Sequence, residues 1–410
     1  MGNKSIPEIR FSEFSGDWEE FKLGDVLKER KVKQKISEEA PLLAFAAGQG
    51  VIDRSERKTN NRDFLTNDST EKSYLITKLD DIVYNPSNLK YGAIDRNKHG
   101  YGVISPIYVT FETNEIPSFI ELIVKSHAFK QRALRYEEGT VTKRQSVKPE
   151  NLLSLNVVLP NSKNEQTEIG NFFEELEDII TIHKQELDTL KQTKQGFLQK
   201  MFPKEGESVP EIRFPGFTGK WEQLKLGDLS ESFEYGLNAK AIEFDGENKY
   251  IRITDIDDDS HKFSQENLTS PNVTISTADR YLLEPGDILF ARTGASVGKS
   301  YIYDEKDGKV YYAGFLIRAR IKSKYNPEFV FQNTLTEKYN NFIRITSQRS
   351  GQPGVNSKEY KGYSIMVPCS KEQKKIGYFL KKIDDTVALH EQELEILKQT
   401  KKALLQKMFV

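Results

Sequence analysis

The 410 residues contain one cysteine, Cys369. A lone thiol excludes a disulfide framework and a cysteine-cluster metal site within the chain, and it suits a reducing cytoplasm. No run of 18 apolar residues occurs, so no membrane-spanning helix is expected. The opening stretch, MGNKSIPEIR, has no apolar signal core. It begins Met-Gly, but Ile6 stands where a myristoylation motif requires Ser or Thr. Charge of one sign is not in excess: the net value is −1. That argues against a general polyanion binder and leaves local basic surfaces open. The five histidines show no metal-ligand spacing, so no metal is expected.

Catalytic motifs are also missing. RTGASVGKS at 292–300 resembles a phosphate loop, but Gly294 and Gly298 have three residues between them where that loop needs four. Tyr84-Asn85-Pro86-Ser87 lacks the second proline and the aromatic of an amino-methyltransferase motif. No G-x-G-x-x-G follows a strand pattern. The acidic run at 255–259 could serve a metal-dependent nuclease, but a solvated turn accounts for it better.

What the chain does have is a helix that occurs twice. EQTEIGNFFEELEDIITIHKQELDTLKQTKQGFLQKMF begins at Glu165, and EQKKIGYFLKKIDDTVALHEQELEILKQTKKALLQKMF begins at Glu372. Twenty of 38 positions are identical at a constant offset of 207, which marks an internal duplication. In the first copy Ile169, Phe173, Leu176, Ile180, His183, Leu187, Leu190, Lys194, Phe197 and Met201 step by four and three. Ile376 to Met408 repeat the pattern in the second. A mean step of 3.5 is the seam of a coiled coil, so two helices of about 50 Å are expected to pair. His183, Lys194, His390 and Lys401 interrupt the apolar seam and are candidates for fixing its register. The lead-in duplicates as well: residues 7–26 match 210–229 at thirteen of twenty positions, with the chain's two tryptophans, Trp18 and Trp221, at equivalent places.

Between lead-in and helix lie two unlike middles. Each reads as short strands, a helical piece, a polar loop and a last strand ending at Pro160 or Pro368. In the first, the helical piece spans 117–136; in the second, it begins at Pro327. The expected fold is α+β: two similar α/β domains separated by two long antiparallel coiled-coil helices, with an internal pseudo-twofold repeat. The expected bounds are 1–163 and 204–370 for the domains, and 164–203 and 371–410 for the helices.

The loops of the middles carry groups suited to nucleic acid. Residues 125–148 have a local net charge of +5 and residues 338–361 of +4. Lys and Arg neutralise phosphates and pair with guanine edges, whereas Gln and Asn pair with adenine. The candidates in the first domain are Asn85, Asn88, Lys90, Tyr91, Arg96, Lys98, Lys143, Arg144, Gln145 and Ser146. In the second they are Arg292, Thr293, Ser296, Lys299, Gln348, Arg349, Ser350 and Gln352.

The duplicated lead-ins, the pattern GDILFARTGASVGK, the strand–Pro–Glu-Gln-x-x-Ile junctions and the ends LKQTKQGFLQKMFPK and LKQTKKALLQKMF occur in a fixed order. In that order the whole chain resembles the specificity subunit of type I restriction–modification enzymes. The resemblance implies that the middles are target-recognition domains reading an asymmetric, bipartite double-stranded DNA site, one half-site each. It implies two methyltransferase subunits that bind S-adenosylmethionine and methylate adenine, and two motor-nuclease restriction subunits that use ATP and Mg²⁺. This chain itself would hold no cofactor and no catalytic residue. The first domain departs from the pattern, with DDIVYNPSNLKYGAI where the second has GDILFARTGASVGKS. The competing reading is a coiled-coil adaptor that binds proteins and has no role on DNA.

Overall fold

The computed structural model describes residues 6–46, 48–56, 72–138, 145–348 and 351–409. It forms two compact units, one of Met1–Ile182 with Glu395–Val410 and one of His183–Leu394. The long helices run Lys163–Lys200 and Ser370–Lys407. Each begins just after the proline that ends the last strand of its repeat. Every seam residue is buried or half-buried, as a 3.5-residue stripe facing a partner requires.

In the second unit the helices pack antiparallel. Going up the first helix means going down the other: Lys191 meets Glu391 at 2.7 Å, Lys194 meets Asp384 at 2.5 Å, and Phe197 packs edge-on to Phe379. In the first unit Lys401 pairs with Glu177 and Phe409 packs against Phe173. Lys401 and Glu177 are the repeat equivalents of Lys194 and Asp384. Each lysine that breaks the apolar seam therefore ends on an acid of the opposite helix. Burial, with Lys125 and Lys98 nearby, lowers the pKa of Lys401.

The same sheet is built twice. In the first unit four antiparallel strands lie in the order Leu27–Glu29, Val109–Thr113, Ile82–Tyr84, Ile94–Arg96. In the second the order is Ser230–Tyr235, Leu316–Ile321, Asp287–Ala291, Ser300–Ile302. The lead-in strand pairs with the last strand of its own repeat, Glu19–Lys22 with Asn156–Leu159 and Glu222–Lys225 with Ser364–Val367. The helical piece at 117–136 is two helices, Pro117–Lys125 and His127–Leu134. The break falls at Ser126, whose backbone is extended and whose hydroxyl accepts the Phe129 amide and so caps the second helix. The piece that begins at Pro327 divides in the same way, with Thr336 capping Glu337–Thr346.

The Glu-Gln pair that opens each long helix ties the repeat together. Glu165 and Glu372 are almost fully buried and take Arg10 and Arg213 of the lead-ins at 2.6 and 2.7 Å. Gln166 accepts the Ile116 amide and donates to the Pro160 carbonyl; Gln373 does the same with Asn326 and Pro368. These bonds satisfy the amide at the N-cap of Pro117–Lys125 and, in the second repeat, of Pro327–Asn333.

One turn further on, Gly170 and its equivalent Gly377 face the start of the same short helices. A Cβ on Gly170 would come within 3.0 Å of Ser118 Cβ, and one on Gly377 within 2.9 Å of the Phe329 amide nitrogen. Alanine at either site gains up to about 1 kcal/mol of helix propensity. Crowding, against the Ser118 side chain in one case and the Phe329 backbone in the other, costs about 1–3 kcal/mol and outweighs it. Gly377→Ala is expected to lower the urea midpoint of unfolding. A raised midpoint would show that the short helix can step aside.

Candidate nucleic-acid interface

Both units place two loops side by side at one end of the four-stranded sheet. In the second unit the turn after Asp287–Ala291 holds Arg292, Thr293 and Ser296, and the loop after Glu337–Thr346 holds Gln348 and Gln352. Gly294 and Gly298 have φ of 75° and 89°, which lets this turn reverse twice within five residues. The Gly294 amide donates to the Pro353 carbonyl and the Val355 amide to the Arg292 carbonyl. From below, Tyr360 Oη donates to the Ala291 carbonyl at 2.7 Å. The Gly294–Gly298 turn is therefore a backbone-braced loop, not a phosphate cradle.

In the first unit the arrangement recurs. Tyr84 Oη donates to the Val147 carbonyl at 2.8 Å, and the Val147 amide donates to the Pro86 carbonyl. Gln145 and Ser146 thereby lie beside the loop that carries Asn88, Lys90 and Tyr91. Tyr91 is 68% exposed, with the Lys90 ammonium 5.2 Å from its ring centre. An exposed aromatic beside a cation suits a sugar–phosphate backbone or a base face. Lys143, Arg144, Arg349 and Ser350 lie outside the described residues.

Three candidates do structural work instead. Asn85 is buried, and its side-chain oxygen accepts the Ser87 amide. Arg96 is ion-paired with Asp80, Glu121 and Glu174, and has no charge left over for a phosphate. Lys299 donates to the Ile256 carbonyl at 3.0 Å and pairs with Asp258, holding the acidic 255–259 turn. Lys98 stays half-exposed but leans on Glu121 at 3.0 Å. Burial works against ionising Glu121, yet Lys125, Lys98 and Arg96 hold its carboxyl at about 2.

Arg292 opens onto a cleft of about 910 Å³ with Tyr235, Asn238, Arg252, Thr254 and Phe315. Its guanidinium lies 5.2 Å from the Tyr235 ring and 5.6 Å from the Phe315 ring. Its Nε donates to the Gly314 carbonyl. Tyr235 and Phe315 remain 45% and 56% exposed. Sequence reading missed these two aromatics. They lie 57 and 23 residues from Arg292, and only the sheet brings the three together. The one local signal is Phe315 in GFLIRARI, an aromatic just ahead of an apolar strand and after a glycine.

Two pseudo-equivalent mixed domains, each presenting polar, aromatic and cationic loops and each closed by a long paired helix, define a duplicated two-domain scaffold. The family model described as "Type I restriction modification DNA specificity domain" matches residues 218–399. The chain is 21% identical over 189 residues to the type I restriction enzyme MjaVIII specificity subunit of Methanocaldococcus jannaschii. That match spans 46% of this chain and 42% of the relative, less than half of the relative's length. Among solved structures, the type I restriction–modification S subunit from M. genitalium shares the fold over 99% of both chains, with a TM-score of 0.61 at 16% identity. A structure described for complex assembly and conformational transition of the type I R-M system matches over 96% of this chain and 97% of that one, with a TM-score of 0.50 at 13% identity. The second repeat is thus similar in sequence to type I restriction–modification specificity domains, and the whole chain shares the fold of a type I S subunit.

Proposed function

We propose that this chain reads a bipartite double-stranded DNA target, one half-site per recognition domain, and carries the modification and restriction subunits of its system. The observation that supports this best is the repetition of one loop pair with different residues. The second domain offers Arg292, Thr293, Gln348 and Gln352 where the first offers Asn88, Lys90, Tyr91 and Gln145. A shared scaffold with unlike contact residues suits two different half-sites. Methylation of adenine would be performed by two partner subunits with S-adenosylmethionine. Cleavage would be performed by two motor subunits with ATP and Mg²⁺. No step of either reaction is assigned to a residue of this chain.

Mapping methylated adenines in DNA from cells that carry the chain with its partners tests the reading. A discrete two-part motif is expected. Methylation without sequence preference would refute it and favour the protein-binding adaptor.

In the same reading the helices set the spacing of the half-sites. A heptad added to both helices at equivalent positions adds about 10 Å to each and preserves the seam. The preferred spacer is then expected to lengthen by about 3 base pairs, at about 3.4 Å each. An unchanged spacer would mean that something other than the helices sets the distance.

A further inference from the structure

We propose that His183, His390 and Glu393 form a site for one divalent transition-metal ion that clasps the two long helices. His183 and His390 are equivalent residues of the two repeats, and in the second unit their rings face each other with centroids 5.9 Å apart. Glu393 lies between them: its Oε2 is 3.9 Å from His183 Nδ1 and 3.9 Å from His390 Nδ1. That separation is too long for a hydrogen bond. Neither Nδ1 has a hydrogen-bond partner, and both atoms are buried. Two buried imidazole nitrogens thus converge on one carboxylate oxygen without bonding to it.

A cation accounts for this spacing. In a tetrahedral zinc site with bonds of 2.0–2.1 Å, ligand atoms lie about 3.4 Å apart. All three ligand atoms here fall within 4.8 Å of one another. The two 3.9 Å Glu393–histidine separations exceed that spacing by about 0.5 Å, a gap that rotation of the partly exposed Glu393 side chain can narrow. Two imidazoles and one carboxylate form a donor set for Zn²⁺, Co²⁺ or Ni²⁺ and not for Mg²⁺ or Ca²⁺, which take oxygen ligands. The fourth position is open to water; Glu186, the repeat equivalent of Glu393, is exposed and stands outside the three-residue cluster. The ligands come from helices 207 residues apart in sequence, so no linear spacing motif could announce them.

The test uses the full purified chain, freed of any affinity tag, stripped with a chelator and titrated with Co²⁺. One equivalent is expected to give the visible d–d absorption of a tetrahedral site, displaced by Zn²⁺. Saturating Zn²⁺ is expected to raise the melting temperature by about 3 °C or more. His183→Gln and His390→Gln should each abolish the band. Glu393→Gln, at a partly exposed position that leaves the seam intact, should weaken binding by at least the roughly 10- to 100-fold typical of losing an outer-shell contact. Lys184→Gln, an exposed residue on the same helix outside the cluster, should change neither. Absence of the band in the wild-type chain would overturn the proposal. So would an undiminished band in the folded Glu393→Gln variant. Neither result bears on DNA reading, which methylation mapping tests separately.

Discussion

Replacing Arg213 by alanine is expected to destabilise the second unit by about 3 kcal/mol, the lower end of the range for breaking a buried ion pair. Glu372 has no solvent exposure, whereas the Arg213 side chain keeps 15% of its own. Removing the cation therefore strands a fully buried carboxylate. The guanidinium also donates to the carbonyls of Thr218 and Gly219, so the lead-in turn loses its brace in the same step. The Glu372 hydrogen bond raises the Arg213 pKa against the opposing effect of burial, so the guanidinium stays charged across the neutral range.

The first repeat supplies an internal control. Glu165 takes Arg10 in the same way and also accepts Trp18 Nε1 at 3.2 Å. Trp221 Nε1 is buried without a partner. Arg10→Ala leaves its glutamate one donor, so its cost should be smaller by about 1 kcal/mol. Changing both partners of the second pair, Arg213→Met with Glu372→Leu, should recover most of the loss, because no buried charge remains. Urea unfolding of the four proteins measures all of this. A loss below about 0.5 kcal/mol for Arg213→Ala would mean that water reaches Glu372 and the junction is not sealed.

That ion pair also shows what sequence reading can reach. Arg10, Arg213, Glu165 and Glu372 each stand inside a duplicated motif, so their positions were visible while their partnership was not. The seam was visible for a stronger reason: a 3.5-residue period is a local property, and pairing follows from it. The strand–helix order of the middles was visible too, apart from the breaks at Ser126 and Thr336, where a capping side chain outcompetes continuation of the helix. The candidate loops were chosen by composition alone, and composition cannot separate a cation free to meet DNA from one already neutralised. Arg96 and Lys299 resemble Arg292 in sequence. They differ because Glu121, Glu174 and Asp258 arrive from elsewhere in the fold. Tyr235 and Phe315 carry no charge and so gave no signal.

Arg292→Ala is expected to weaken recognition of one half-site by about 5- to 150-fold, the 1–3 kcal/mol of a specific base contact, and to leave discrimination at the other half-site unchanged. Among the described residues its guanidinium is hydrogen-bonded to the protein only through Nε. The rings of Tyr235 and Phe315 restrain its plane. Such an arginine is oriented in advance and spends little side-chain entropy on binding. Tyr235→Ala should therefore reproduce part of the loss without removing any charge. Lys299→Ala should not, because that ammonium is bound to the Ile256 carbonyl and Asp258. The measurement is binding of the assembled modification complex to duplexes altered in one half-site at a time, across a salt series. If Arg292 reads a base, the salt slope is unchanged; if it holds a phosphate, the slope falls by about 1 and all sequences weaken together. Equal loss at both half-sites would refute the assignment of one half-site to each domain. The cleft around Arg292 would then be a general backbone clamp, and reading would have to come from the Gln348 and Gln352 loop beside it.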